Sequence, residues 1–181
     1  DSIFINTTAN GNGDGGAIFA FNGDFIVSNS SFINTTAGYD GGAISTGGNI
    51  RIFTVSNSTF INTTAVRDGG AICTSGVNIT VTDSIFINTT STGSDGGAIS
   101  ISGVSATVTD SIFINTKSKN CGGAIYKSSS DSNFTVSNSC FIDTTGGMGG
   151  AIYACNNGDF IVSNSSFINT TSSLNGGGGA I

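Results

Sequence analysis

Apolar and polar residues alternate along this chain in short runs that recur at a nearly fixed interval. The run Phe-Ile-Asn, or Phe-Ile-Asp, begins at Phe4, Phe32, Phe60, Phe86, Phe113, Phe141 and Phe167, at intervals of 28, 28, 26, 27, 28 and 26 residues. A second run, Gly-Gly-Ala-Ile, begins at Gly15, Gly41, Gly69, Gly96, Gly122, Gly149 and Gly178 and keeps step with the first. A period of this length marks a solenoid, in which each unit buries its apolar side only against its neighbours. Val27, Val55, Val81, Val108, Val136 and Val162 each precede the motif Phe by five residues without exception, so the corner between two strands tolerates no insertion. The stretch from Phe to Gly-Gly and the stretch from the motif Ile to Val both vary in length, and read as loops.

The expected fold is all-β: a right-handed parallel β-helix of about seven coils of 26–28 residues, with three short strands per coil. Residues 1–181 read as a single repeat segment of a longer repeat protein or fibre. Side chains alternate between faces along a strand, so the Phe and Val columns are expected inward. Counting on by two from each Val also places Asn29, Asn57, Asp83, Asp110, Asn138 and Asn164 inward. Counting on from each Phe does the same for Asn6, Asn34, Asn62, Asn88, Asn115 and Asn169, as ladders whose amides bond the copies above and below. The count puts Ile33, Ile61, Ile87, Ile114, Ile142 and Ile168 outward, with Ile5 at one end. Such a stripe is costly to leave in water and predicts self-association, laterally through this column or end to end through unpaired terminal rungs.

Composition narrows the picture. There are 28 Gly, no Pro, Trp, His, Glu or Gln, and one Leu, Leu174, so the straight-chain helix formers are nearly missing while Ile, Val, Phe, Thr, Ser and Asn abound. Net charge is −6 and the five basic residues, Arg51, Arg67, Lys117, Lys119 and Lys127, lie in or beside the two variable segments. A nucleic-acid partner, which needs clustered cations, is not expected. No apolar run approaches the roughly 20 residues of a membrane span, and neither cofactor nor metal is expected.

Seven interleaved pairs such as Ser30-Ser31-Phe32-Ile33-Asn34-Thr35 and Gly41-Gly42-Ala43-Ile44 resemble the repeats of chlamydial polymorphic outer-membrane proteins and of adhesin-like surface proteins of methanogenic archaea. The resemblance covers the whole chain and implies a β-helical, extracellular or cell-surface region engaged in adhesion, with a host-cell or matrix ligand held by variable loops. One departure is that Asn34 stands second after Phe, where the family's usual pattern has it third.

Three patterns invite other readings. Asp14, Asp40, Asp68 and Asp95 precede Gly-Gly in four successive coils, a column that would suit Ca²⁺ or the paired acids of a polysaccharide-active enzyme; the competing reading is an Asx turn, each carboxylate accepting N–H groups of the following glycines. The column stops where Cys121 and Met148 replace Asp, which favours the turn and no catalytic centre. Asp83, Asp110 and Asp143 stand where other coils have Asn and read as isosteric replacements. Thr54, Ser56, Thr80, Thr82, Thr107, Thr109, Thr135 and Ser137 form outward Thr-X-Thr columns that resemble the ice-binding face of some antifreeze proteins, though Thr and Ser are also ordinary solvent-facing strand residues. Cys73, Cys121, Cys140 and Cys155 occupy four different places in the coil without metal-ligand spacing, and a bridge from Cys155 to Cys121 or Cys140 stays open. Among the Asn-X-Ser/Thr sequons, Asn78 and Asn133 sit at a loop edge and are the better glycosylation acceptors, the ladder asparagines being expected inward.

Overall fold

The computed structural model describes residues 1–129, 132–156, 158–174 and 177–181. The described residues form a parallel β-solenoid without helix, its three sheets running the length of the molecule. One seven-stranded sheet holds the motif Phe residues, in strands Ser2–Ile5, Ser30–Ile33, Thr59–Ile61, Ile85–Ile87, Ile112–Ile114, Cys140–Ile142 and Ser166–Ile168. A second seven-stranded sheet is built from two-residue strands, Thr8–Ala9, Thr36–Ala37, Thr64–Ala65 and their equivalents up to Thr171–Ser172. These lie within the stretch that length variation marks as a loop. The variability is confined to the residues between this strand and Gly-Gly.

The third sheet joins the Gly-Gly-Ala-Ile segment to the Val segment. In two coils they form one continuous strand, Ile18–Ser28 and Ile44–Ser56, and from Ile72–Thr74 and Asn78–Thr82 onward they separate into two. Pairing is parallel and in register throughout the Phe sheet, Phe4 against Phe32, Phe60, Phe86, Phe113, Phe141 and Phe167 in succession. Successive rings from Phe4 to Phe141 stack at 4.8 Å, within 5° of parallel. The interior is a stack of like layers, with Phe60, Val81 and Ile72 and their equivalents in the inner coils fully buried, and Phe4, Ile18, Val162 and Phe167 at the ends partly so.

Three corners close each coil, and each turns on a residue in the left-handed region. They are Asn57, Asn62 and Gly69 in one coil, with φ of 46°, 53° and 65°, and the same places recur along the array. Asn, Asp and Gly are the residues that enter this region at least cost, which explains why only these types fill the corners. The left-handed residue also interrupts the alternation of faces. Both asparagine columns expected inward are therefore on the outside: Asn34, Asn62 and Asn88 are exposed, as are Asn29, Asn57, Asp83 and Asp110. The amide ladder itself forms, but on the surface. Asn34 Nδ2 donates to Asn6 Oδ1, Asn62 to Asn34 and Asn88 to Asn62 at 3.0 Å each, and Asn115 to Asn88 at 2.7 Å.

What does point inward after the corners is Ser or Thr. Ser58 Oγ donates to its own turn at Ser56 O (2.8 Å) and accepts the Ser30 N–H of the neighbouring coil (3.2 Å), and Ser84, Ser111 and Ser139 repeat the pattern. The buried Thr35, Thr63, Thr89, Thr116 and Thr144 lack this compensation, their Oγ1 atoms facing the core without a hydrogen-bond partner. A buried hydroxyl that gains no bond costs free energy that a methyl of the same size does not. Thr89→Val should therefore stabilise the chain by about 1 kcal/mol, read as a higher midpoint in urea; a lower midpoint would mean that the hydroxyl has a partner.

Candidate interaction surface

The outer face of the Phe sheet carries two columns. One is the expected isoleucine column, paired rung by rung from Ile5 through Ile33, Ile61, Ile87, Ile114 and Ile142 to Ile168. Its inner members shield one another and are half-buried, while Ile5 and Ile168 are 54% and 47% exposed. The other column lies two residues before it, on the far side of the Phe: Ile3, Ser31, Thr59, Ile85, Ile112, Cys140 and Ser166. Neither column holds a charge. Asparagine and aspartate corners border the face on both sides, so an uncharged strip, apolar throughout along its isoleucine column, runs between two polar edges.

The hydroxyl columns also stand in register, Thr54, Thr80, Thr107 and Thr135 in one and Ser56, Thr82, Thr109 and Ser137 in the other. They are bounded by Ile26 and Ile161, which are 68% and 52% exposed. The Thr82 and Thr109 hydroxyls donate to the corner carboxylates of Asp83 and Asp110, at 3.0 and 2.9 Å.

The acidic column works between coils rather than within its own turn. Asp14 Oδ1 accepts the backbone N–H of Asp40 (3.2 Å), Asp40 that of Asp68 (3.1 Å), Asp68 that of Asp95 (3.1 Å), and Asp95 that of Cys121 (2.8 Å). The expected acceptance from the following glycines gives way to this ladder because the equivalent amide of the next coil lies one rung away. Arg67 sits over the Tyr39 ring at 4.1 Å and reaches Asp40 (3.5 Å) and Asp68 (3.3 Å). Burial raises the Asp40 carboxyl above its usual range, against the opposing pull of the Asp68 N–H and of Arg67. Among the described residues no group of three His, Cys, Asp or Glu side chains is arranged to hold a metal ion.

All four cysteines are free. Burial pushes the Cys121 thiol up to about 11, with the Asp95 carboxylate adding to it. Cys73 is raised as well, first by burial and then by the acidic column. Thiolate character, which reactivity requires, is suppressed at both. Asn78 and Asn133 are exposed, each the first residue of its strand.

The reading of basic residues as loop groups fails at Arg51 and Lys117, which lie exposed in the strands Ile44–Ser56 and Lys117–Ser118, and most completely at Lys127. It falls in the strand Ile125–Ser129, at the inward place held by Ile101 and Ala154 in the adjacent coils, and is fully buried. Its Nζ donates to Gly103 O (2.6 Å) and Ser132 Oγ (2.9 Å), and burial pulls the amine down to about 8. Sequence spacing held a signal for it: Lys127 stands two residues after the inward Ile125 and so shares its face.

A scan of protein-family models, a search of curated proteins and a search of solved structures found no match to this chain. No helix among the described residues is long and apolar enough to cross a membrane.

Proposed function

We propose that this chain is a non-enzymatic, adhesin-like structural or binding module of a cell-surface or extracellular fibrous protein. The observation that carries this reading is the acidic column. It is the most enzyme-like feature of the chain, and its Oδ1 atoms are committed one after another to backbone N–H groups of the next coil. A carboxylate so engaged ties rungs together, and the second oxygens of Asp68 and Asp95 accept from Arg67 and Ser94 as well, which is what a structural ladder requires. The surface chemistry is drawn out along columns instead of converging on a cleft. That distribution suits contact with an extended partner.

Two measurements test the reading. Brief protease treatment of intact producing cells, or collection of their medium, should yield peptides of this chain; recovery only after lysis would overturn the surface assignment. Incubation with neutral and acidic polysaccharides should release no new reducing ends, and turnover lost in Asp40→Asn or Asp68→Asn would reinstate the enzyme reading. The same preparation should show no thermal hysteresis in freezing, since part of the hydroxyl array is turned to Asp83 and Asp110.

A further inference from the structure

The isoleucine column has a geometry that restricts what can cover it. Its side chains repeat with the 4.8 Å spacing of the stacked Phe rings beneath, so it is a row of equal knobs and equal gaps. A globular surface with irregular spacing meets such a row at one or two rungs only. A second β-solenoid with the same rung height meets it at every rung, as identical strands do in dry, interdigitated sheet interfaces. The partner available in every preparation is a second copy of this chain.

Symmetry then selects the orientation. A two-fold axis parallel to the solenoid axis lays the copies parallel, and when the whole face is covered it sets the isoleucine column against the Ser31 column of the other copy. It also brings rungs level, knob to knob. A two-fold axis lying across the strip lays the copies antiparallel and sets each column against itself, Ile on Ile. In that arrangement the axis is free to sit where the rungs are offset by half a spacing, about 2.4 Å, and knobs enter gaps. Both arrangements are closed and isologous, but only the second sets the isoleucine column against isoleucine and lets the rungs interdigitate, the mixed Ser31 column meeting its own copy beside it.

We propose that two copies of this chain pair antiparallel through the outer face of the Phe sheet, isoleucine column against isoleucine column. Seven rungs and two columns with their shoulders cover roughly 30 by 15 Å, or about 900 Å² over both copies, below the standard range of specific interfaces and in that of weak, transient ones. The pair is therefore expected to form in the micromolar range, reinforced in any longer array by added rungs. It stands independently of where the protein resides, which the protease experiment decides.

Sedimentation velocity of the 181-residue chain over a concentration series should show a monomer–dimer equilibrium. The triple variant Ile61→Thr, Ile87→Thr, Ile114→Thr should weaken it at least roughly a hundredfold. Circular dichroism should be unchanged, because Thr is a good strand residue and these side chains face out. Orientation is read by cysteine crosslinking after each native cysteine is replaced by the residue in the same place of an adjacent coil: Cys73→Ser, Cys121→Asp, Cys140→Ser and Cys155→Ser. In that background Ile87→Cys should crosslink to itself, and Ile33→Cys should crosslink to Ile142→Cys when the two are mixed but not to itself. A strict monomer up to millimolar concentration, or association that survives the triple variant, overturns the pairing. Self-crosslinking of both Ile33→Cys and Ile142→Cys overturns the antiparallel arrangement. A monomer that binds neutral lipid vesicles through this face assigns the column to a lipid surface instead.

Discussion

Gly70→Ala should destabilise the chain by at least about 3 kcal/mol, the upper range for forcing atoms into a packed interior. Gly70 follows the left-handed Gly69 at the third corner, and its Cα faces the adjacent coil directly. A Cβ built there would lie 2.1 Å from Gly97 O and 2.5 Å from Thr90 N, all of it backbone with no side-chain end to swing aside. The clash can be relieved only by lifting one coil off the next, which opens the ladder bonds from Gly70 N to Gly96 O and from Ala71 N to Ala98 O. For a chain of this size the loss corresponds to a fall in Tm of roughly 6–12 °C. Gly11→Ala is the control: Gly11 also has a left-handed φ, 65°, but nothing lies within 4 Å of its would-be Cβ. It should cost only the backbone term, about 1–2 kcal/mol. Equal losses at the two positions would mean that coil-to-coil contact is not what requires glycine at Gly70.

Lys127 gives the second large effect, and a pH dependence with a definite sign. Its amine titrates near 8 in the folded chain against 10.5 for an unperturbed lysine, because burial disfavours the charged form. Below pH 8 the amine is protonated in both states and the full penalty opposes folding. Between pH 8 and 10.5 the folded chain releases its proton first, the unfolded state binds more protons, and stability rises with pH. Above 10.5 the amine is neutral in both states and the penalty is gone. With 10.5 − 8 = 2.5 pKa units at about 1.4 kcal/mol each, the wild type should gain on the order of 3 kcal/mol relative to Lys127→Met between pH 7 and pH 11. The Tyr and Cys groups titrate in both proteins and drop out of that difference. Urea midpoints measured in parallel at the two pH values decide it. A difference that does not change with pH would falsify the dry environment of Lys127.

The rung repeat, the all-β class and the facing of Phe, Val and Ile were legible in the sequence, since each follows from period and alternation alone, whereas the sheet of two-residue strands such as Thr36–Ala37 lay in a stretch read as loop. Phe32 and Val55 are fully buried and Ile33 lies outside, as the count by two places them. The count failed at Asn34 and Asn57, each of which sits at a corner. A left-handed residue advances the chain without keeping the pleat, so the amide that alternation sends inward turns outward and the following Thr35 or Ser58 takes the inner place. Alternation holds only within a strand, and the Asn or Asp recurring at both corners was the local signal, passed over by the count, that the strand had ended there. The acidic column shows the same boundary. Its stacking was evident from the spacing, but whether Asp40 accepts from its own turn or from the next coil depends on which N–H lies nearer across a rung. Only the assembled solenoid sets that distance, because it is a separation between residues 28 apart in the chain. Lys127 is the clearest case. Its inward register could be counted from Ile125, but the depressed amine follows from Ile101 and Ala154 of the adjacent coils closing over it, and burial of that kind exists only once the coils have stacked.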